Sequence, residues 1–517
     1  MFKRVTGAAV LLTLTACTAL DEEAAEEITD MEPEDEHHYE TGIGRILSLA
    51  GENRAGDPAD DFNVDDYLYD YSEAEDEELS KEELENIRLS GDAPMSAEPD
   101  QFIEDLHYFH SVLKYQYALY GANGGDEAFE QARDQAIEEI EKKYAPGETI
   151  SPSIMEETIR EHYSFIRDTH FTVNGSLVTP KDHRLYMNGD ILFYKTEEGR
   201  YIHTGTGETL KHINGDRSVE DYLLPSLSED GEFVYIPGHF SDQEPEKDLE
   251  ITMDETVKEV GLSWTSASYT TGESGVDTSG EIPVFALKDF FFYEDSDVTA
   301  EGLMKEAEMF EDEPYWILDL TSNPGGYPEF AIDWHRQHFG ISPGFGDYML
   351  YLYSNTGYAV YEETEEYYRS RGVVEDPFWS QIGGYRGFIM PLEEPRWTRM
   401  YSAYRRAENE DSVIFVITDE YTASAAEFMT QVMKHVDNTI IIGTSTAGAL
   451  NSGGALLWEL PNTNLVMSVP SAFNYHPENL AQEGIGLEPD LWLHPGDAVS
   501  RIEALVSREK EEENEVR

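Results

Sequence analysis

One cysteine, Cys17, stands in a chain of 517 residues. The protein can therefore form no intramolecular disulfide and build no multi-cysteine metal centre. Positive charge is also scarce, with 35 Lys and Arg against 106 Asp and Glu, a net charge of −71. A surface so acidic argues against binding to nucleic-acid phosphates or to anionic membrane surfaces. It is consistent with a saline or alkaline surrounding medium, although solubility alone would also account for it. No segment beyond the N-terminus offers the 18 or so uninterrupted apolar residues of a membrane helix. Hydrophobic residues at 40% and aromatics at 12% are sufficient for a globular core, and the length suggests roughly two to four structural units.

The N-terminus begins with Lys3 and Arg4, continues through a short apolar region at 7–15, and ends Leu14-Thr15-Ala16-Cys17. The apolar part is too short for a permanent span. Residues 1–17 resemble a bacterial lipoprotein signal, which implies lipidation at Cys17; an ordinary secretory signal cut near Ala16 is the alternative. Either implies export to the cell envelope, with any membrane hold through lipid. Residues 18–98 are dominated by Asp and Glu and are expected to form a disordered tether, with an isolated helix over 77–89. No spaced loop motif supports a calcium-binding role for this tail.

A helical cap is expected over 99–170. Phe102, Leu106, Phe109, Leu113 and Tyr120 trace one face of a helix running to Gly121. Further helices are expected at 127–142 and 154–167, the last leading directly into Asp168-Thr169-His170. Residues 171–280 alternate strands and turns. The 208–224 stretch, with the turn pair Asn214-Gly215, resembles part of a PDZ-like module, and a plain β subdomain is the competing reading. Over 341–406, Tyr348, Tyr351, Tyr353, Tyr361, Trp379 and Trp397 form an aromatic-rich insertion. It is expected to cap a cleft or to make a satellite core or subunit contact.

The most informative stretch is 412–436. A β-branched apolar run at 412–418 reads as a buried strand. It is followed by Asp419-Glu420-Tyr421-Thr422-Ala423-Ser424-Ala425-Ala426-Glu427 and then by helical spacing through Phe428, Val432 and His435. Ser424 thus falls where a strand becomes a helix, beside free amides suited to an oxyanion. A tight helix-packing face with a serine N-cap is the simpler alternative. Upstream, Asp319-Leu320-Thr321-Ser322-Asn323-Pro324-Gly325-Gly326 ends another buried strand in paired glycines. Downstream lie Gly443-Thr444-Ser445-Thr446-Ala447-Gly448-Ala449 and Gly486-Leu487-Glu488-Pro489-Asp490.

These four motifs, in this order, resemble the C-terminal processing (tail-specific) serine peptidases and the related tricorn core. The resemblance implies a mixed α/β protein with a ClpP/crotonase-like catalytic core at 281–505. It implies Ser424 as nucleophile, with Gly325 (or Gly326) and Ala425 forming the oxyanion hole. In lysine-type members the general base is a lysine of the third motif, where this chain has Ala449. The tricorn-like alternative implies His170 as base and Glu483 as the orienting acid. His476 competes for the first role and Glu488 for the second. No metal or cofactor is implied, and the partner is a polypeptide substrate; the oligomeric state is left open. The expected activity is peptide-bond hydrolysis through an acyl-enzyme. The alternatives are a non-catalytic surface-binding lipoprotein on the same fold or an esterase-type acyl hydrolase.

Overall fold

The computed structural model describes residues 42–54, 63–74, 78–179, 181, 183–245, 247–292, 298–346, 348–371 and 390–516. Cys17 and the signal-like residues 1–17 lie outside the described residues.

The chain forms a mixed α/β fold around a six-stranded sheet. Its order is Gly275–Asp277, Val284–Ala286, Tyr315–Asp319, Val413–Thr418, Thr439–Gly443 and Leu491–Trp492. The first pair is antiparallel and the remaining pairs are parallel. Apolar runs without polar alternation suit a sheet covered on both faces, and alternate residues do point to two separate cores. Trp316, Leu318, Ile414 and Val416 meet Phe330, Trp334, Met429 and Met433 on one side. Ile317, Phe415, Ile417 and Ile440 meet Ile46, Ile502 and Leu505 on the other.

That second core corrects the expectation of a disordered tether for the described residues between 42 and 98, while residues 18–41 lie outside the described residues. Residues Gly42–Arg54 form a helix that buries Ile43, Ile46 and Ala50 against the core. Arg54 fastens its end to Thr439 O at 2.7 Å and to the Asp490 carboxylate at 2.8 Å. Farther on, Tyr67, Leu68, Tyr69, Tyr71, Leu84 and Ile87 pack against the helical cap. The expected helix at 77–89 is reduced to Lys81–Leu84. An acidic average hid an apolar spacing of three and four residues, which is sufficient to dock a helix whatever its other faces carry.

The cap consists of Pro99–Gln116, Gly125–Lys143 and Pro152–His162. The third helix stops earlier than its sequence pattern suggests, so His170 sits on an irregular turn rather than at a helix end. The β subdomain has one six-stranded and one three-stranded sheet. Asn214 and Gly215 both take positive φ, 52° and 78°, as a tight turn requires. The Ser228–Gly231 turn of the subdomain abuts the C-terminal helix Pro495–Val516, where a Cβ at Gly231 would lie 2.2 Å from Leu505 N. The Phe240 and Trp492 rings meet at a tilt, 5.2 Å apart, and Arg501 donates to Leu227 O at 2.5 Å.

The aromatic insertion supplies strands Tyr348–Tyr353 and Arg396–Tyr401 to a third six-stranded sheet. In that sheet Ser452–Glu459 and Thr172–Val173 both pair with Val466–Tyr475. Val466–Tyr475 therefore lies between the residues that follow His170 and those that follow Ala449. Within the insertion, Leu350, Leu352 and Tyr361 enter the cap core, whereas Phe345, Met349 and Tyr351 line a cleft. Residues 372–389, including Trp379, lie outside the described residues.

Candidate active site

Strand Val413–Thr418 ends at Asp419, whose carboxylate accepts the N–H groups of Ser322 and Tyr421, each at 3.0 Å. Thr422 Oγ1 donates to Leu320 O at 2.9 Å, and Ala423 N donates to Asn323 O at 2.9 Å. The ends of two adjacent strands are thus stitched together immediately before Ser424. Ser424 itself has φ 53° and ψ −117°, a conformation that costs a non-glycine residue about 1–3 kcal/mol and persists only where its surroundings enforce it.

The enforcement comes from Glu427, three residues into the helix Ala425–Lys434 and fully buried. Its carboxylate accepts Ser424 N at 2.9 Å, Gly448 N at 2.7 Å, Ala449 N at 2.7 Å and Thr446 Oγ1 at 2.5 Å. Burial raises its pKa, and the four donors oppose that rise. Ala449, where a lysine-type member of the resembling family would have its base, is occupied in this clamp. A lysine does approach from another loop. Lys181 Nζ donates to Thr446 O at 2.5 Å, and burial lowers its pKa to about 8.

Ser424 Oγ lies 3.0 Å from His170 Nε2. The other ring nitrogen, Nδ1, lies 2.9 Å from Ser452 Oγ, which in turn donates to Asp168 Oδ1 at 2.7 Å. Asp168 is fully buried and also accepts His170 N at 3.0 Å and Tyr117 OH at 2.9 Å. Burial lowers the His170 pKa below its ordinary value, with the Asp168 charge pulling the other way. The ring thus presents Nε2 to the Ser424 hydroxyl and Nδ1 to the Ser452 hydroxyl.

Glu483 does not reach His170. Its Oε1 accepts Thr169 N and lies 2.8 Å from Thr169 Oγ1, while Oε2 accepts the N–H groups of Leu450 and Asn451, each at 2.9 Å. Glu483, expected as the orienting acid, makes no hydrogen bond to the His170 ring and holds the backbone on either side of the site. Glu488 is farther away. Its carbonyl accepts Lys434 Nζ, at the other end of a helix that rises about 15 Å from Ser424. His476 begins the short helix at 477–482 and lines a different cavity, with Arg54 and His435.

The two glycines divide. Gly325, at φ 94°, is wedged so closely that a Cβ would stand 2.7 Å from Ala423 O and 2.8 Å from Ala425 N. Its own N–H is taken by Asn323 Oδ1 at 2.8 Å, which corrects its assignment as an oxyanion donor. Gly325 O and Tyr327 N both pair with Phe290, so the N–H of Gly326 between them faces the opposite way. Gly326, Ser424 and Ala425 line one cleft of about 130 Å³, walled by Met349, Tyr351 and Phe428. Among the described residues, no group of three or more His, Cys, Asp or Glu is placed to hold a metal ion.

Sequence reading assigned no part to Ser452, Glu427 or Asp168. Asp168 stood in a quoted motif without a role. Ser452 carried no signal at all, because only the strand pairing with Val466–Tyr475 brings it to His170.

Residues 284–493 match peptidase family S41. No curated protein matches the chain. Among solved structures, it is similar to mature CPAF complexed with lactacystin, at 15% identity over 81% of this chain and 98% of that one, with a TM-score of 0.41. The photosystem II D1 C-terminal processing protease matches at 12% identity, over 79% and 96%, with a TM-score of 0.32. The tricorn protease matches at 14%, over 78% and 35%, with a TM-score of 0.31.

Proposed function

We propose, for a chain that carries a peptidase family S41 region over 284–493 and is thereby a serine peptidase acting on polypeptides, that Ser424 is the nucleophile and His170 its general base. The observation that supports this most directly is the 3.0 Å contact between Ser424 Oγ and His170 Nε2 at the lip of an apolar cleft. A serine hydroxyl attacks only when a neighbouring base takes its proton, and a neutral imidazole is well matched to that task near pH 7. The proton passes to Nε2 as Oγ bonds to the scissile carbonyl carbon. The carbonyl oxygen, now negative, meets the N–H groups of Gly326 and Ala425, each contributing on the order of 3 kcal/mol. His170 then returns the proton to the departing amine, leaving an acyl-enzyme for water to release. Met349, Tyr351 and Phe428 favour an apolar side chain next to the cleaved bond.

The protein is further proposed to be exported and held to the membrane by lipid on Cys17, a reading that rests on residues 1–17. Replacing Cys17 with alanine is expected to move the protein from the membrane fraction to the soluble one.

Labelling of the purified protein with a fluorophosphonate tests the chemistry. The wild type is expected to be modified at Ser424, Ser424→Ala not at all, and His170→Ala slower by about 10³-fold or more. A folded wild type that resists the probe while binding peptides would overturn the proposal in favour of a binding protein.

A further inference from the structure

His170 requires a partner on Nδ1 that selects its tautomer and a negative charge that balances the imidazolium formed during attack. Two buried carboxyls stand near it, and their hydrogen bonds differ in kind. Glu483 binds main-chain N–H groups and Thr169 and makes no bond to the ring. Asp168 reaches the ring through one hydroxyl, at 2.7 Å and 2.9 Å.

We infer that Asp168, acting through Ser452, is the positioning acid of this site, and that Glu483 is a backbone clamp. The inference rests on the reading of Ser424 and His170 as nucleophile and base.

The donor directions support it. Asn123 Nδ2 donates to Tyr117 OH at 3.1 Å, so the Tyr117 proton is directed at Asp168 Oδ2. The His170 main-chain N–H can only donate, and it points at Oδ1. With two donors already in place, the Ser452 proton completes the set on Oδ1. The Ser452 lone pair is then left for Nδ1–H, which fixes Nε2 as the acceptor facing Ser424. Around Glu483, a proton on Oε1 can donate to Thr169 Oγ1, whose own proton then goes to Gly448 O at 3.0 Å. Protonated Glu483 thus leaves its network satisfied, whereas protonated Asp168 would face three donors.

During attack the Ser424 proton moves to Nε2, and the Nδ1 proton stays on the ring. Asp168 remains a carboxylate throughout, one hydroxyl away from the imidazolium. The titratable groups facing His170 are Asp168 and Tyr117 from the cap side and Glu483 through Thr169.

The test is the second-order rate of fluorophosphonate labelling of the full chain, measured against pH. Ser452→Ala is expected to lower the rate by about 10²–10⁴-fold, and Ser452→Thr, which keeps the hydroxyl, to recover most of it. In Asp168→Asn the acid limb of the profile should move to lower pH, because the imidazolium loses its counter-charge. In Glu483→Gln that limb should stay at the wild-type position, with a rate loss of no more than about tenfold. Wild-type labelling by Ser452→Ala, or an acid limb that moves with Glu483→Gln and not with Asp168→Asn, would overturn the assignment. If Asp168→Asn does not fold, the Ser452 pair decides alone, since each changes a single side chain at the end of a strand. His170→Ala labelling at the wild-type rate would remove the premise and the inference with it.

Discussion

Glu483 and Asp168 are two carboxyls buried within reach of each other's charge, with no Lys or Arg bonded to either among the described residues. Burial, reinforced by the Asp168 charge, pushes the Glu483 pKa up to about 8, from an ordinary value of 4.5. Burial raises Asp168 as well, but it is Glu483 whose bonds accommodate the proton. Between pH 4.5 and about 8 the folded protein therefore holds a proton at Glu483 that the unfolded chain has released. Stability must fall as pH rises through that window, by a total on the order of 5 kcal/mol when complete. Melting temperatures from pH 5 to pH 9 should decline more steeply for the wild type than for Glu483→Gln, which has no proton to lose. Parallel declines in the two proteins would show that Glu483 is not protonated in the fold. At this scale the sequence singled out Ser424 and His170, which lie in contact, because motif order carries over between related chains. It could not show that the Gly325 amide is taken by Asn323, nor that Ser452 lies beside the ring. The second is a pairing of residues 282 positions apart, and the first depends on which way the Asn323 side chain turns within its own loop.

Among the elements, those legible in advance were the ones with unbroken apolar runs. Tyr315–Asp319 and Val413–Thr418 both read as buried strands and both lie inside the central, mostly parallel sheet. Val466–Tyr475 did not, since Pro470 and three polar residues interrupt its pattern, and its strand character comes from partners on both sides. The acidic N-terminal region was misread for the opposite reason: composition averages over faces, while docking uses one face. The helix Gly42–Arg54 shows the difference, with Ile46 fully buried in a segment otherwise followed by acid-rich sequence. Replacing Ile46 with aspartate buries an unpaired charge and should release the helix rather than unfold the protein. Limited trypsin digestion provides the measurement. Cleavage after Arg45 and Arg54 should become rapid in Ile46→Asp while the catalytic region stays intact. Equal resistance in the two proteins would mean that the helix is held by Arg54 and its Asp490 contact without help from the core.

For the molecule as a whole, the excess of 106 acidic over 35 basic residues bears on which polypeptides arrive at the cleft. The cleft walls near Ser424 are apolar or carry uncharged polar groups, so the bound peptide meets little local charge there. The approach, by contrast, lies in the field of a strongly negative body, and such fields change encounter rates by factors of about 10 to 10³ at low ionic strength. Two peptides with the same residues flanking the cleaved bond, one with distant lysines and one with distant glutamates, should therefore differ in kcat/KM at low salt. The cationic peptide should be favoured by about tenfold or more. Raising the salt to about 1 M shortens the screening length to about 3 Å, and the two values should converge there while kcat for each stays close to its low-salt value. A preference that survives 1 M salt would instead locate selectivity in direct contacts within the cleft. A preference for the acidic peptide would indicate a local positive surface that outweighs the net charge, and Arg54, Lys434 and His435 around the neighbouring cavity would be the first residues to replace.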